Sequence, residues 1–469
     1  MLCSKKAGPG GSSARRFTAV VIVVGAMLSA PVTVTRGAAP TGFGGGSGDR
    51  TISTSADRRS EAADTRRPVL IDRLRQAGLV RHHMTWSSSE VDYNRDGRPD
   101  LWIGKHQDGG DLWRNTGRGK YVRVRSRAWP HRNPSGLVVD RHDCQWADVD
   151  RNGRPDAYCS AGRFGATIVK SGNDNELWLQ RPAGRFRDVG TAWGVGDRCG
   201  RGRNVVFLNF NHDRFPDLFV GNQVPPHGGD VCTHHPRRYP NQASKLFINV
   251  RGDRFRYAKA KFRFGPGPGS RCALNIDFDQ DHWDDLVACD TVPARLGKYR
   301  SGTNQPAALR LFRNKHGRRF ADRSDLLPNV RVNDATVADI DHDHDPDLVL
   351  ARYRNFLYSL NTDGQFGTPV RIGTAPVGTA RAVAVGDADN DGDLDVFGMI
   401  GHLGHHNPND RLFLNDGLAF TTVVAPRARG TADEVIAVHP RVQAPAQFLV
   451  MNGWHFNKNT NVQLLTLRR

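Results

Sequence analysis

The sequence is poor in helical signal. No apolar periodicity of 3.6 residues is sustained along it, which argues against a helical bundle, and 50 glycines among 469 residues favour short strands joined by tight turns. It also lacks long apolar runs after the first, Phe17 to Ala30 (FTAVVIVVGAMLSA), which is itself short for a bilayer span, so no transmembrane segment is expected in the mature chain. Serine-hydrolase, phosphate-loop and nucleotide-binding signatures are missing, and with them the enzyme classes most easily read from sequence. No Asn-X-Ser/Thr acceptor has a permitted middle residue, so N-glycans are not expected. Acid is in deficit, with 48 Asp and Glu against 66 Lys and Arg, a formal charge of +18. Cysteine is sparse at seven residues, one of them Cys3 near the start.

What is present begins with Lys5, Lys6, Arg15 and Arg16 ahead of that apolar run, the pattern of an export signal over residues 1–39, with Ala26, Ala30 and Ala39 as candidate cleavage positions. Residues 40–66, rich in Gly, Ser, Thr, Arg and Asp, have too little apolar content to fold and read as a flexible linker. The remainder, 67–469, is the expected folded unit, and the expected location is extracellular. Six cysteines fall there: Cys144 and Cys159 flank one acidic segment, Cys272 and Cys289 flank another at nearly the same offsets, and Cys199 and Cys232 bracket a third more widely. If each segment joins adjacent antiparallel strands, each pair meets across a hairpin and forms a disulfide in an oxidising compartment.

Self-similarity is the strongest feature. Six segments align: DYNRDGRPDLWIG from Asp92, DVDRNGRPDAYCS from Asp148, NFNHDRFPDLFVG from Asn209, DFDQDHWDDLVAC from Asp277, DIDHDHDPDLVLA from Asp339 and DADNDGDLDVFGM from Asp387, starting 48 to 68 residues apart. Each reads as strand, acidic loop, strand. Behind each follows a second hairpin, such as KLFINVRGDRFRYA or RLFLNDGLAFTTV, with an apolar pair, a turn of Asn, Asp or Gly, and an aromatic. Two hairpins per repeat give four strands, and a four-stranded unit repeated around an axis predicts an all-β propeller. Residues EVIAVHPRVQAPAQFLVMNG and VQLLTL supply three strands of a seventh unit without the acidic loop, and Pro68 to Val80 supplies the fourth from the front of the chain, closing a seven-bladed ring.

Counted from the first residue of each loop, oxygen-bearing side chains stand at positions 1, 3, 5 and 9. They are Asp92, Asn94, Asp96 and Asp100; Asp148, Asp150, Asn152 and Asp156; Asn209, Asn211, Asp213 and Asp217; Asp277, Asp279, Asp281 and Asp285; Asp339, Asp341, Asp343 and Asp347; and Asp387, Asp389, Asp391 and Asp395. Hard oxygen donors in a flexible loop favour Ca²⁺, up to six ions in a structural role. An EF-hand needs Glu at position 12, where this chain has Ile103, Cys159, Val220, Ala288, Leu350 and Gly398, so that motif is excluded. The third loop, with Asn209 and Asn211 for Asp and Arg214 for the turn glycine, is expected to bind most weakly.

These loops resemble the FG-GAP or VCBS repeats of integrin α-subunit propellers and of many exported bacterial proteins. The resemblance covers roughly residues 68–469 and implies Ca²⁺ at Asp92, Asn94, Asp96, Asp100 and the matching positions of the later loops. It departs at Arg214, His282 and His344, which replace the turn glycine, and in the seventh unit. It implies further that the acidic loops lie on one face of the ring and that ligands meet the other.

Function is less legible, because a fold does not set it. Twenty of the 48 acidic residues stand at the loop positions, leaving 28 against 66 Lys and Arg, a balance that attracts polyanions such as acidic polysaccharide, teichoic acid or an anionic cell surface. Arg237, Arg238, Tyr239, Lys298 and Tyr299, in long segments between repeats, are the candidate ligand contacts. The expectation is a monomeric binding or adhesion module for an anionic glycan or cell-surface protein, without nucleic acid and without a catalytic constellation. The alternative is a Ca²⁺-dependent lyase for acidic polysaccharide, with its base among Arg237, Tyr239, Lys298 and Tyr299. His234, His235, His402, His405 and His406 could ligate a transition metal but read more simply as exposed loop residues.

Overall fold

The computed structural model describes residues 67–80, 85–105, 108–125, 129–133, 136, 138, 140–162, 174–223, 232, 243–258, 272–290, 307–401, 408–428, 430, 432–441, 443–453 and 462–469. Its strands form seven antiparallel blades around one axis. Blade one spans 85–123, blade two 141–188, blade three 202–257, blade four 273–332, blade five 334–374, blade six 379–424 and blade seven 434–468 together with Val69–Asp72. The first strand of each blade is innermost and packs beside the first strands of its two neighbours, the last contact joining Glu434–Val438 to Thr85–Val91. The fourth strand is the outer edge. Blade four adds the short strand Arg331–Val332, and blade five interposes the small hairpin Asn361–Thr362 and Gln365–Phe366 before its outer strand. Among the described residues there is no α-helix, only the 3₁₀ turns Pro182–Gly184 and Ser324–Leu326.

The second strands are apolar on both sides because each blade is sandwiched between two others. Leu101 and Ile103 pack against Leu449 and Met451 of blade seven, whereas Trp102, pointing the opposite way, packs against Trp146 and Ala157 of blade two. Blade six alternates likewise: Val396 joins Val349 and Phe356 of blade five, and Phe397 and Met399 join Phe448 and Val450 of blade seven. Seven apolar clusters result, one at each blade interface. Gly398 marks how close the blades come, since a Cβ there would sit 2.6 Å from the Phe356 ring.

Closure follows the expected route with a shorter strand. Val69–Asp72 pairs with Val462–Arg468 in the register Val69 to Arg468. After Asp72 the chain turns rather than continuing extended, and Leu74, Ala77 and Leu79 cover the interface of blades seven and one beside Trp113 and Tyr121. Cys144–Cys159 bridges directly opposed residues of the first two strands of blade two, with Cα atoms 4.1 Å apart. Cys272–Cys289 joins the residue just before the first strand of blade four to its second strand, and Cys199–Cys232 ties the approach to blade three to the segment after its second strand.

Candidate metal centres

Each acidic loop joins the first strand of a blade to the second, so all six lie at one end of the ring. Position 5 bends each loop in the same way, its side-chain oxygen accepting the N–H of position 7: Arg98 to Asp96, Arg154 to Asn152, Phe215 to Asp213, Trp283 to Asp281, Asp345 to Asp343 and Asp393 to Asp391, at 2.8 to 3.0 Å. Position 1 accepts the N–H of position 6 in five loops, from Gly97, Gly153, His282, His344 and Gly392. Position 6 takes a left-handed φ in all six, including Arg214 (71°), His282 (64°) and His344 (76°). The loss of glycine there leaves the loop geometry intact, at a steric cost of about 1–2 kcal/mol per residue.

The position 9 carboxylates, Asp100, Asp156, Asp217, Asp285, Asp347 and Asp395, open the second strands and are fully buried. Burial pushes them up, to about 7 at Asp100, Asp347 and Asp395 and about 8 at Asp156, Asp217 and Asp285; neighbouring loop carboxylates add to the shift while backbone N–H donors oppose it. Carboxylates converge within 4.8 Å in four loops: Asp148, Asp150 and Asp156; Asp277, Asp279, Asp281 and Asp285; Asp339, Asp341 and Asp347; and Asp387, Asp389 and Asp395. Asp343 and Asp391 stand outside these groups, and loops one and three form none among the described residues, Asp96 being drawn to Arg98 at 2.6 Å and loop three having only Asp213 and Asp217. Buried oxygens of Asp148, Asp277, Asp279, Asp339, Asp341 and Asp389 accept no hydrogen bond. Unsatisfied, buried, negatively charged oxygens held this close are unfavourable alone and suited to a hard divalent cation, so the donor set fits a metal ion.

Among the described residues, three loops hold a guanidinium from outside. Arg313 places Nε 2.6 Å from Asp279 and an Nη 3.2 Å from Asp281, Arg181 lies 2.7 Å from Asp150, and Arg469 reaches from blade seven to Asp389 and Asp391 in loop six. Among the described residues, loop five, with its four carboxylates, has an ion-pair partner only in the exposed His344, 3.7 Å from Asp339.

A set of residues not singled out by sequence reasoning supports the loops. In every metal-loop blade an amide-bearing residue, Asn115, Gln180, Asn249, Asn314 and Asn415 in the third strand and Asn361 in the small hairpin after it in blade five, gives its backbone N–H to the position 9 aspartate. Its side-chain N–H then reaches the preceding blade, donating to the carbonyl of Pro440, Tyr93, Val149, Phe210, Phe278 or Ile340. Tyr93, Val149 and Ile340 in turn give their N–H to Asp100, Asp156 and Asp347, so the acidic loop of one blade is hydrogen-bonded to that of the next. The recurring Asn of the second hairpin was the available signal; it reads locally as a turn residue.

Arg237, Arg238, Tyr239, Lys298 and Tyr299 lie outside the described residues, as do the leading segment 1–66 and the histidines 234, 235, 402, 405 and 406. No described helix is long and apolar enough to cross a membrane.

Residues 92–159 and 339–398 match the FG-GAP-like repeat, each match running from one acidic loop through the next, loops one and two in the first and loops five and six in the second. No curated protein matches the sequence. Among solved structures, a lectin from Agrocybe aegerita recognising non-reducing terminal N-acetylglucosamine is 16% identical, covering 73% of this chain and 80% of that one, with a TM-score of 0.45. BBS1N in complex with ARL6DN is 8% identical, covering 86% and 98%, with a TM-score of 0.48. Likenesses this distant carry nothing about ligand.

Proposed function

Because the chain is an FG-GAP-repeat β-propeller, we propose that it acts as an exported binding module, with Ca²⁺ in its acidic loops and an anionic glycan as its ligand. The observation that carries the calcium reading is the convergence of buried, unsatisfied carboxylate oxygens at the same place in blade after blade. Asp148, Asp150 and Asp156, all four of Asp277, Asp279, Asp281 and Asp285, and the corresponding residues of loops five and six are the ligands; Asn152 and the loop one and three residues complete weaker sites. Bound ions would offset the mutual repulsion of these carboxylates and so stabilise the ring.

The glycan reading rests on charge. Calcium in the loops would consume much of the negative charge and leave the basic excess facing solvent, a field that attracts polyanions. Three disulfides agree with an oxidising compartment. Calorimetric titration of Ca²⁺ into chelator-treated protein, with thermal melts, tests the first half: several ions with a large rise in melting temperature are expected, and no binding would remove calcium from the account. Incubating the loaded protein with acidic polysaccharides tests the second. Retention without change marks a binder, whereas release of ultraviolet-absorbing unsaturated uronate would establish a lyase instead.

A further inference from the structure

The outer strands of the blades are not alike in charge. Outside blade five, their register is set by one aromatic paired with the third-strand amide residue: Tyr121 opposite Asn115, Phe186 opposite Gln180, Phe255 opposite Asn249, Phe320 opposite Asn314 and Phe420 opposite Asn415; in blade five the matching pair, Phe366 and Asn361, sits in the small hairpin before the outer strand. The aromatic turns inward, as with Phe255 and Phe320, which are buried, and Phe186, whose ring centre lies 5.3 Å from that of Trp129. Alternation along a strand therefore turns the residues on either side of it outward. The residue before the aromatic is Lys120, Arg185, Arg254 and Arg319 in blades one to four but Ala419 in blade six, while the outer strand of blade five, Val370–Thr374, carries the single exposed Arg371. The residue after it is Arg187 in blade two and Arg256 in blade three, against Thr421 in blade six.

All six basic residues are exposed. Arg185, Arg187, Arg256 and Arg319 make no ion pair among the described residues, and Arg254 meets only the equally exposed Asp253 at 3.6 Å. Cationic edge strands can simply discourage edge-to-edge pairing between molecules. That role does not account for the asymmetry, because the outer strand of blade six, Ala419–Val424, has the same exposed edge and no charge at all.

We propose that this cationic arc on the outer rim, centred on Arg185, Arg187, Arg254 and Arg256 and flanked by Lys120 and Arg319, is the docking surface for a linear acidic polysaccharide. The proposal rests on the anionic-glycan reading above and moves the contact from the loops at the ends of the ring to its circumference. Guanidinium forks repeated at every second residue, and repeated again in the next blade, suit a chain bearing carboxylate or sulfate groups at regular intervals. A rim contact also leaves the calcium loops untouched.

The test compares binding of polygalacturonate and a sulfated glycosaminoglycan by three calcium-loaded proteins whose folding is checked by thermal melts. They are the wild type, Arg185→Gln/Arg187→Gln/Arg254→Gln/Arg256→Gln, and a control losing equal charge elsewhere, Arg331→Gln/Arg352→Gln/Arg371→Gln/Arg441→Gln. The rim variant is expected to bind at least about tenfold more weakly and to lose most of the salt dependence, with the control close to wild type. Equal weakening in both variants, or none in the rim variant, overturns the rim assignment while leaving the glycan reading in place. A wild type that binds neither glycan overturns both.

Discussion

Arg313 stands where a cation would otherwise feel two carboxylates directly. Its guanidinium bridges Asp279 and Asp281 in the loop that gathers four aspartates, so a divalent ion entering there must displace it or share the site with a positive charge. Like charges a few ångströms apart oppose each other even when well screened. Arg313→Gln should therefore bind Ca²⁺ more tightly at loop four, on the order of tenfold, and Asp279→Asn should weaken it; titrations in a background with loops two, five and six disabled by Asp150→Asn, Asp341→Asn and Asp389→Asn isolate loop four. If Arg313→Gln leaves the affinity unchanged, the arginine is a spectator. Arg214, His282 and His344, where the chain departs from the turn glycine, each adopt the left-handed conformation a glycine would have supplied.

Between residue and ring stand the hairpins, and here the third-strand amides matter most. Asn314 donates to the carbonyls of Phe210 and Asp284 and accepts from Gly317, holding its own turn, its own loop and the neighbouring blade. Asn314→Ala should cost about 1–3 kcal/mol by stranding the buried Phe210 carbonyl, measured by denaturant unfolding, and should do so with calcium or with chelator because the contact contains no ion. A loss seen only with calcium present would tie the residue to the metal instead. The carboxylate spacing was legible in the sequence because six aspartate patterns at one period have no other economical reading. The amides were not, since an Asn before a turn has a sufficient local explanation and its acceptor lies far away, 104 residues from Asn314 and 325 from Asn115. That the front of the chain closes blade seven is legible from the three strands its seventh unit offers, though the strand itself is only Val69–Asp72 within Pro68 to Val80, since Leu74, Ala77 and Leu79 turn to cover an interface.

The whole molecule is a set of seven separate apolar interfaces strung round an axis, and it holds together only when the last is made. Leu70, on the closing strand, is buried with Phe448 and Leu465 between blades six and seven. Leu70→Asp should cost several kcal/mol, on the order of 3–5, by placing a carboxylate in that interface, and should leave Val462–Arg468 as an open edge; a lower melting temperature with concentration-dependent association in size-exclusion chromatography is expected. An unchanged melt would mean that the closing strand is dispensable. Because Val69 pairs with Arg468, almost the full length of the described chain separates the two halves of that contact. Six blades can assemble from neighbouring hairpins as they emerge, but the seventh has to wait for the final strand to be made. Closing the ring is thus a long-range step, and a nascent chain carries an unfinished edge until Val462–Arg468 has been made.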